Sequence, residues 1–81
     1  MNKATYKVTT TNGSSRTLEF EEHHTEDNYG NGNYISVLRV DDGEILSYVD
    51  MRYQNYIFET FCESYIRQYY GENLLTYEHI S

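Results

Sequence analysis

Hydrophobic and polar residues alternate in two short segments near the start of the chain, at residues 4–11 and 16–22. Between them stands Asn12-Gly13. This pair is typical of a type I′ β-hairpin, because both turn positions need a positive φ. The alternation points Glu19 and Glu21 outward. It predicts an inward face that consists of Tyr6, Val8, Leu18 and Phe20.

A second hairpin is predicted around Asp42-Gly43, between strands at residues 33–40 and 44–53. Apolar side chains occupy both faces of residues 33–40, which indicates an internal strand. In residues 44–53 the alternation puts Leu46 and Tyr48 on one face. The other face is expected to carry Ile45, Val49 and Met51.

Residues 56–70 show the periodicity of an amphipathic helix. Asn55 is expected to cap its start, and Gly71 is the usual kind of residue to end it. The apolar face consists of Phe58, Phe61, Cys62, Tyr65 and Tyr69. The opposite face carries Glu59, Thr60, Glu63, Ser64 and Arg67, with Glu63 and Arg67 as an i, i+4 ion pair.

The predicted fold is α+β, in a single domain of residues 1–81. Residues 74–80 form a last short strand, so the element order is ββββαβ. Two hairpins and this strand make an antiparallel-rich sheet, with one amphipathic helix packed on a face. Residues 23–33 have no apolar period and are interpreted as a loop.

Composition favours an ordered domain with a thin core. Ile, Leu, Val and Phe are few, but ten Tyr add large side chains that suit both cores and interfaces. A lone Cys62 cannot form an internal disulfide, and the chain has no long apolar run. Small secreted domains usually carry several disulfides, so a cytoplasmic location is expected.

The net charge of −7 is distributed unevenly. Residues 1–17 contain three basic side chains and no acid, whereas residues 18–50 contain nine acids and Arg39 alone as a base. Direct nucleic-acid binding and anionic membranes are both disfavoured, because each needs a basic surface. A basic macromolecular partner is the electrostatic inference, and solubility alone is the alternative.

Candidate catalytic and metal sites are weak. His23 and His24 are adjacent, so in a strand they project to opposite faces, and only folding of the loop could gather them with Glu22, Glu26, Asp27 or His79. Residues 27–38 fail as a calcium loop, because Tyr29 and Leu38 occupy ligand positions. Cys62 is expected to pack in the core. We therefore expect no metal, no cofactor and no enzymatic activity.

Acidic groups and exposed tyrosines are the stronger candidates, for binding a partner. Tyrosine beside carboxylates suits a surface rich in Lys and Arg. Tyr29 and Tyr34, which flank the glycine-rich segment, are also expected to be exposed. One group on the second strand and the loop consists of Glu19, Glu21, Glu22, Glu26 and Asp27, and another at the second hairpin consists of Asp41, Asp42 and Glu44. The helix is expected to add Tyr56, Glu59, Glu63 and Tyr70.

The stretch Ile35-Ser36-Val37-Leu38-Arg39-Val40-Asp41-Asp42-Gly43-Glu44, followed by a strand and an amphipathic helix, resembles the acidic phage-encoded anti-CRISPR proteins. The resemblance covers residues 34–71 in layout and charge. It implies a cytosolic inhibitor that mimics DNA and occupies the nucleic-acid channel of a CRISPR effector. The alternative is a structural module that forms a homodimer through its tyrosines, with the charge serving solubility.

Overall fold

Five strands and one α-helix make up the fold in the computed structural model, which describes residues 1–28 and 30–81. In chain order the elements are β1 (Lys3–Thr10), β2 (Ser15–Asp27), β3 (Gly30–Arg39), β4 (Glu44–Asp50), α1 (Phe58–Tyr70), a 3-10 turn (Gly71–Asn73) and β5 (Leu74–His79). The strands form one antiparallel sheet in the order β4-β3-β2-β1-β5. The predicted α+β class and ββββαβ order are confirmed.

The first hairpin supplies most of the sheet's contribution to the core. Gly13 takes a φ of 87° in the turn, but Asn12 does not have a positive φ, so the hairpin is confirmed in position while the predicted type I′ turn is wrong. The inward face is confirmed, since Tyr6, Val8, Leu18 and Phe20 are all essentially inaccessible to solvent. Full burial of each such aliphatic or Phe side chain contributes about 1.5–3 kcal/mol.

The prediction of a loop at residues 23–33 is wrong. β2 and β3 stay paired from His23 opposite Tyr34 to Asp27 opposite Gly30. Beyond the ends of β1 and β4 these residues form a two-stranded ribbon, here called the arm (residues 23–28 and 30–33). Backbone hydrogen bonds hold the arm together. Because neither side of the arm is covered by an apolar layer, its side chains need no hydrophobic alternation, and the periodicity gives no sign of a strand. Tyr29 lies outside the described residues.

An irregularity in β4 corrects the predicted faces of that strand. Leu38 pairs with Ile45 and Val37 with Ser47, so Leu46 is an extra residue between the two pairs. The bulge shifts the alternation, and Leu46 packs against the core together with Val49. Ile45 lies opposite Leu38 and is 43% exposed, contrary to the face that the alternation predicts. The internal position of β3 is confirmed.

Helix α1 begins at Phe58, two residues later than predicted. Ile57 takes the N-cap position without a side-chain hydrogen bond, so the predicted cap by Asn55 is wrong. Gly71 ends the helix with a φ of 54°, and its N–H donates to the carbonyl of Arg67, as expected of a stop residue.

The buried face of α1 is narrower than the predicted stripe. Cys62 and Ile66 are its fully buried residues, and they lie one turn apart. Phe58, Phe61 and Tyr65 are half-buried along the flanks. Tyr69 is 49% exposed, which corrects the expectation that it is buried. It stacks on Tyr65 instead, with ring centroids 5.7 Å apart.

The side of the sheet opposite α1 is here called the open face. Because paired residues of an antiparallel sheet share a face, the register defines its members. Such a face can remain in water in an antiparallel sheet. The open face carries Lys3, Thr5 and Lys7 of β1, Glu19, Glu21, His23 and Thr25 of β2, Tyr34, Ser36 and Leu38 of β3, and Ile45, Tyr48 and Asp50 of β4.

Candidate functional site

The acidic group predicted on the second strand and the loop is divided between the two sides of the sheet. Glu19 and Glu21 lie on the open face of the central strand β2, as predicted. Lys3 Nζ is 3.6 Å from Glu19, and the His23 ring lies 3.9 Å from Glu21. Both separations fall within ion-pair distance, but pairs on an accessible surface contribute little, so another cation can compete for either carboxylate. Glu26 lies on the arm, where His24 is 3.6 Å away.

Glu22 corrects the prediction of an exposed binding residue. It is only 8% exposed and points toward the helix side of the sheet. Its carboxylate accepts hydrogen bonds from the Tyr56 hydroxyl, the Asn2 amide at 3.1 Å and the Asn33 amide at 3.5 Å. Burial alone would raise the pKa of Glu22, but the hydrogen bonds from Tyr56 and Asn2 outweigh it and lower the pKa. Glu22 therefore stabilises the fold.

Arg39 neutralises part of the charge of the acidic group at the second hairpin, Asp41, Asp42 and Glu44. Its guanidinium donates to Asp42 Oδ2 at 2.6 Å and to Glu44 Oε2 at 2.5 Å. The hydrogen bond from Arg39 lowers the pKa of Asp42 to about 2. Asp41 accepts the backbone N–H of Thr17 at 2.7 Å, which ties this turn to the start of β2. The three carboxylates are exposed as predicted, but they hold the second hairpin in place and are not simply a repulsive cluster.

Two of the four partner-binding residues that were predicted around the helix are internal to the fold. Tyr56 and Tyr70 are half-buried and pack against the core, which corrects their predicted exposure. Burial, and then the hydrogen bond to the carboxylate of Glu22, raise the pKa of Tyr56. Sequence reasoning misplaced Tyr56 because it treated this residue as part of the helix, which begins at Phe58.

Glu59 and Glu63 lie on the flank of α1 that faces β5. Glu59 is 3.1 Å from His79, and Glu63 accepts a hydrogen bond from the Tyr77 hydroxyl at 3.1 Å. The predicted pair of Glu63 with Arg67 is present at 3.8 Å. These carboxylates face a different direction from Glu19 and Glu21, so the predicted binding residues do not form one continuous surface.

A row of rings crosses the open face where the arm begins. His23 stacks on Tyr34 with ring centroids 4.6 Å apart, and Tyr34 meets Tyr48 edge to face at 6.0 Å. Tyr48 is 66% exposed. The prediction of an accessible Tyr34 is partly met, since it is half-buried between these neighbours. Glu21 lies beside this row, so carboxylates and aromatic rings adjoin on one surface.

Sequence reasoning missed Asp50 and Arg52 at the same end of the open face. Arg52 donates to Asp27 and to Asp50, each at 2.7 Å. The hydrogen bonds from Arg52 lower the pKa of Asp50. Residues 27 and 52 are distant in sequence, so no local spacing pattern could have indicated their contact.

Cys62 is fully buried, and burial raises the pKa of its thiol to about 12. At neutral pH the thiolate is therefore scarce, and the side chain packs as a small hydrophobe. Within residues 1–28 and 30–81, no three His, Cys, Asp or Glu side chains are grouped so that they could hold a metal ion. No helix in the described part of the chain has the length and apolar character needed to cross a membrane.

The chain matches no protein-family model, no curated protein and no solved structure.

Proposed function

We propose that the protein is a non-enzymatic inhibitor that binds a basic nucleic-acid-binding site of another protein through its open face. In this proposal a phage or mobile element encodes the inhibitor, which acts in the cytosol of a host. The expected target is a CRISPR effector, whose nucleic-acid channel the carboxylates enter in place of phosphates.

The position of Glu19 and Glu21 carries the proposal. Both side chains leave the same face of β2, the strand at the centre of the sheet. Carboxylates two residues apart on a strand are about 6.6–7 Å apart along it. That separation is similar to the distance between neighbouring phosphates on one strand of a nucleic acid. A basic groove that accepts phosphates could therefore pair with both carboxylates at once.

The surroundings of these two carboxylates favour docking against a cationic surface. The aromatic row of His23, Tyr34 and Tyr48 adjoins Glu21. Rings beside carboxylates bind Lys and Arg by cation–π contact as well as by charge pairing. Lys3 and Lys7 of the open face lie on β1, and Arg52 at its far end is paired with Asp27 and Asp50, so the favourable part of the surface runs from β2 toward β4.

The proposal is tested by competition between the protein and a labelled duplex for a CRISPR effector, at low and moderate salt. Wild-type protein should displace the duplex, and its apparent affinity should fall as salt rises. Glu21→Lys should weaken displacement by about tenfold or more, because it places a cation in the proposed contact.

Glu72→Lys is the matched control. It makes the same change in net charge in the turn between α1 and β5, away from the open face. Its displacement of the duplex should stay within about twofold of wild type at moderate salt, where distant charges are screened. Equal losses in Glu21→Lys and Glu72→Lys would mean that only net charge matters. A wild-type protein that displaces no duplex at either salt concentration would overturn the proposal.

The alternative, a homodimer through tyrosines, is now restricted to different residues. Tyr56 and Tyr70 pack within the fold, so they are poor dimer contacts. Ile45 and Tyr48 are large exposed side chains that share the open face, and they favour this surface for self-association. Sedimentation at low and high salt separates the two functions, because an apolar dimer is nearly indifferent to salt.

A further inference from the structure

Strand β5 lies at one edge of the sheet, and no other strand in the described part of the chain pairs with its outer side. The N–H of Ile80 donates to the Thr5 carbonyl at 2.9 Å, so the hydrogen-bonding groups of Ile80 and Glu78 face β1. Because these groups alternate in direction along an antiparallel strand, those of Tyr77 and His79 point away from the sheet. Such an edge can pair with another strand.

The opposite edge of the sheet, β4, is poorly suited to pairing with a second copy of the chain. Acidic side chains stand at both of its ends, Glu44 and Asp50. The turn before it adds Asp41 and Asp42, and Arg39 neutralises only part of this charge. Two copies paired through β4 would bring these carboxylates together, and like charges that face each other across strands destabilise the pairing.

The surroundings of β5 are less acidic. Lys7 of β1 lies directly opposite Glu78 on the open face. On the helix side, Glu59 is 3.1 Å from the ring of His79. The neighbouring strand β1 belongs to residues 1–17, which contain three basic side chains and no acid. The edge at β5 therefore borders the basic part of an otherwise acidic chain.

We infer that β5 pairs antiparallel with β5 of a second copy, about a twofold axis at Tyr77. Tyr77 then exchanges backbone hydrogen bonds with Tyr77 of the partner subunit, and Thr76 lies opposite the partner's Glu78. On the open face this register forms the row Lys7, Glu78 and the partner's Thr76, in which no like charges adjoin. A shift of the axis to Glu78 would place this carboxylate opposite the partner's Glu78, which is unfavourable.

Pairing through β5 also keeps the acidic regions of the two copies apart. Because β2 is the third strand from this edge, the two β2 strands are separated by five strand spacings, or about 24 Å. That separation exceeds the Debye length of about 8 Å at physiological ionic strength. Glu19 and Glu21 of both copies remain accessible, so the inference neither uses the surface of the proposed function nor depends on it.

Sedimentation of the full chain over a range of concentrations tests the inference. Wild type should show a monomer–dimer equilibrium with a Kd of about 100 μM or tighter, as expected of a small interface. Thr76→Lys places a cation opposite the partner's Glu78, whereas Thr76→Glu places a second carboxylate there. The first variant should lower the Kd and the second should raise it, each by about threefold or more, because the pair occurs twice in the dimer.

Thr60→Lys and Thr60→Glu are the matched controls. Thr60 is an exposed threonine of α1 beside Met51, on the flank away from β5. The same changes in charge at this position should leave the Kd within about twofold of wild type at moderate salt. Tyr48→Ala, which alters the open face, should also leave the Kd unchanged.

Amide hydrogen exchange locates the interface. The amides of Tyr77 and His79 should exchange more slowly as the protein concentration rises, whereas the amide of Glu78 should be protected at every concentration because it faces β1. A wild type that stays monomeric would overturn the inference. So would equal Kd values for Thr76→Lys and Thr76→Glu, or a dimer that Tyr48→Ala abolishes.

The outcomes for this dimer and for the proposed function are distinguishable. A monomeric wild type that displaces a duplex from a CRISPR effector would overturn the dimer and leave the proposed function in place. A dimer with the expected response to Thr76→Lys and Thr76→Glu, but without displacement of the duplex, would confirm the dimer and overturn the proposed function.

Discussion

Removal of the Tyr56 hydroxyl should destabilise the protein, although the ring stays in place. In Tyr56→Phe, the buried carboxylate of Glu22 loses its phenolic donor. The Asn33 amide, which donates to the Tyr56 oxygen at 3.1 Å, loses an acceptor as well. A hydrogen bond to a charged group contributes about 1.5–3 kcal/mol, so we expect a loss of that size in the free energy of unfolding. For a domain of this length the melting temperature should fall by about 6 °C or more.

The same substitution at Tyr6 is the matched control. The Tyr6 hydroxyl is buried without a hydrogen-bond partner among the described residues. Burial raises the pKa of Tyr6 to about 12. Because an unsatisfied buried hydroxyl opposes folding, Tyr6→Phe should leave the free energy of unfolding unchanged or raise it. Urea unfolding followed by circular dichroism measures both variants, and similar slopes would show that the difference lies in stability.

The pH dependence of this effect has a definite sign. The folded pKa of Glu22 is lowered, so its contribution to stability is present above the unfolded value of roughly 4.3 and is lost as pH falls through the folded pKa. The difference between wild type and Tyr56→Phe should therefore be greatest near neutral pH and shrink below about pH 4. If Tyr56→Phe unfolds within about 0.5 kcal/mol of wild type at neutral pH, Glu22 does not depend on this donor.

Two further predictions concern stability. Ile66→Ala should cost about 2–5 kcal/mol by creating a cavity in the core, as measured by urea unfolding, and a cost near zero would show that α1 packs through another face. Asp42→Lys should lower the melting temperature by more than Glu21→Lys does, because it replaces a direct ion pair with Arg39, whereas Glu21→Lys places a lysine opposite Lys3 on the exposed face. Equal melting temperatures for these two variants would contradict a structural role for Asp42.

The hairpins were predictable because their signals are local. Gly13 and Gly43 both take a positive φ, whereas Asn12 and Asp42 do not, so the positions of the hairpins were predictable but the type I′ turn was not. The alternation of Tyr6, Leu18 and Phe20 also follows from neighbours in sequence, since the helix covers one side of these strands. Sequence-local rules are enough to predict a hairpin where the turn residues and the alternation of the covered face indicate the same pairing of strands.

The arm was missed because its pairing leaves no hydrophobic pattern. His23 through Asp27 pair with Tyr34 through Gly30 by backbone hydrogen bonds, on a part of the sheet with no buried apolar layer. Polar residues on both sides of a strand look like a loop to any argument from periodicity. The β4 bulge was missed for a related reason, because an extra residue such as Leu46 is defined by its partner strand.

Glu22 shows which sequence signal was overlooked. Continuing the alternation Leu18, Phe20, Glu22 places this carboxylate inward, whereas grouping residues by charge placed it with Glu21. Its partners could not have been identified in the same way. Asn2 and Tyr56 are 20 and 34 residues away in sequence, and only the folded sheet brings them to one carboxylate.

The carboxylates of this acidic chain differ in what they can offer to a partner. Asp42 and Glu44 are committed to Arg39, and Glu22 is enclosed by hydrogen-bond donors. Their charges contribute to the long-range field, but using them in a new contact requires breaking an internal one. Glu19 lies 3.6 Å from Lys3 and Glu21 lies 3.9 Å from the His23 ring, and neither contact is as short as those of Arg39 with Asp42 and Glu44. A cation docked on Glu19 and Glu21 therefore costs the fold less than one docked on Asp42, Glu44 or Glu22, which is why we expect β2 at the centre of the proposed interface.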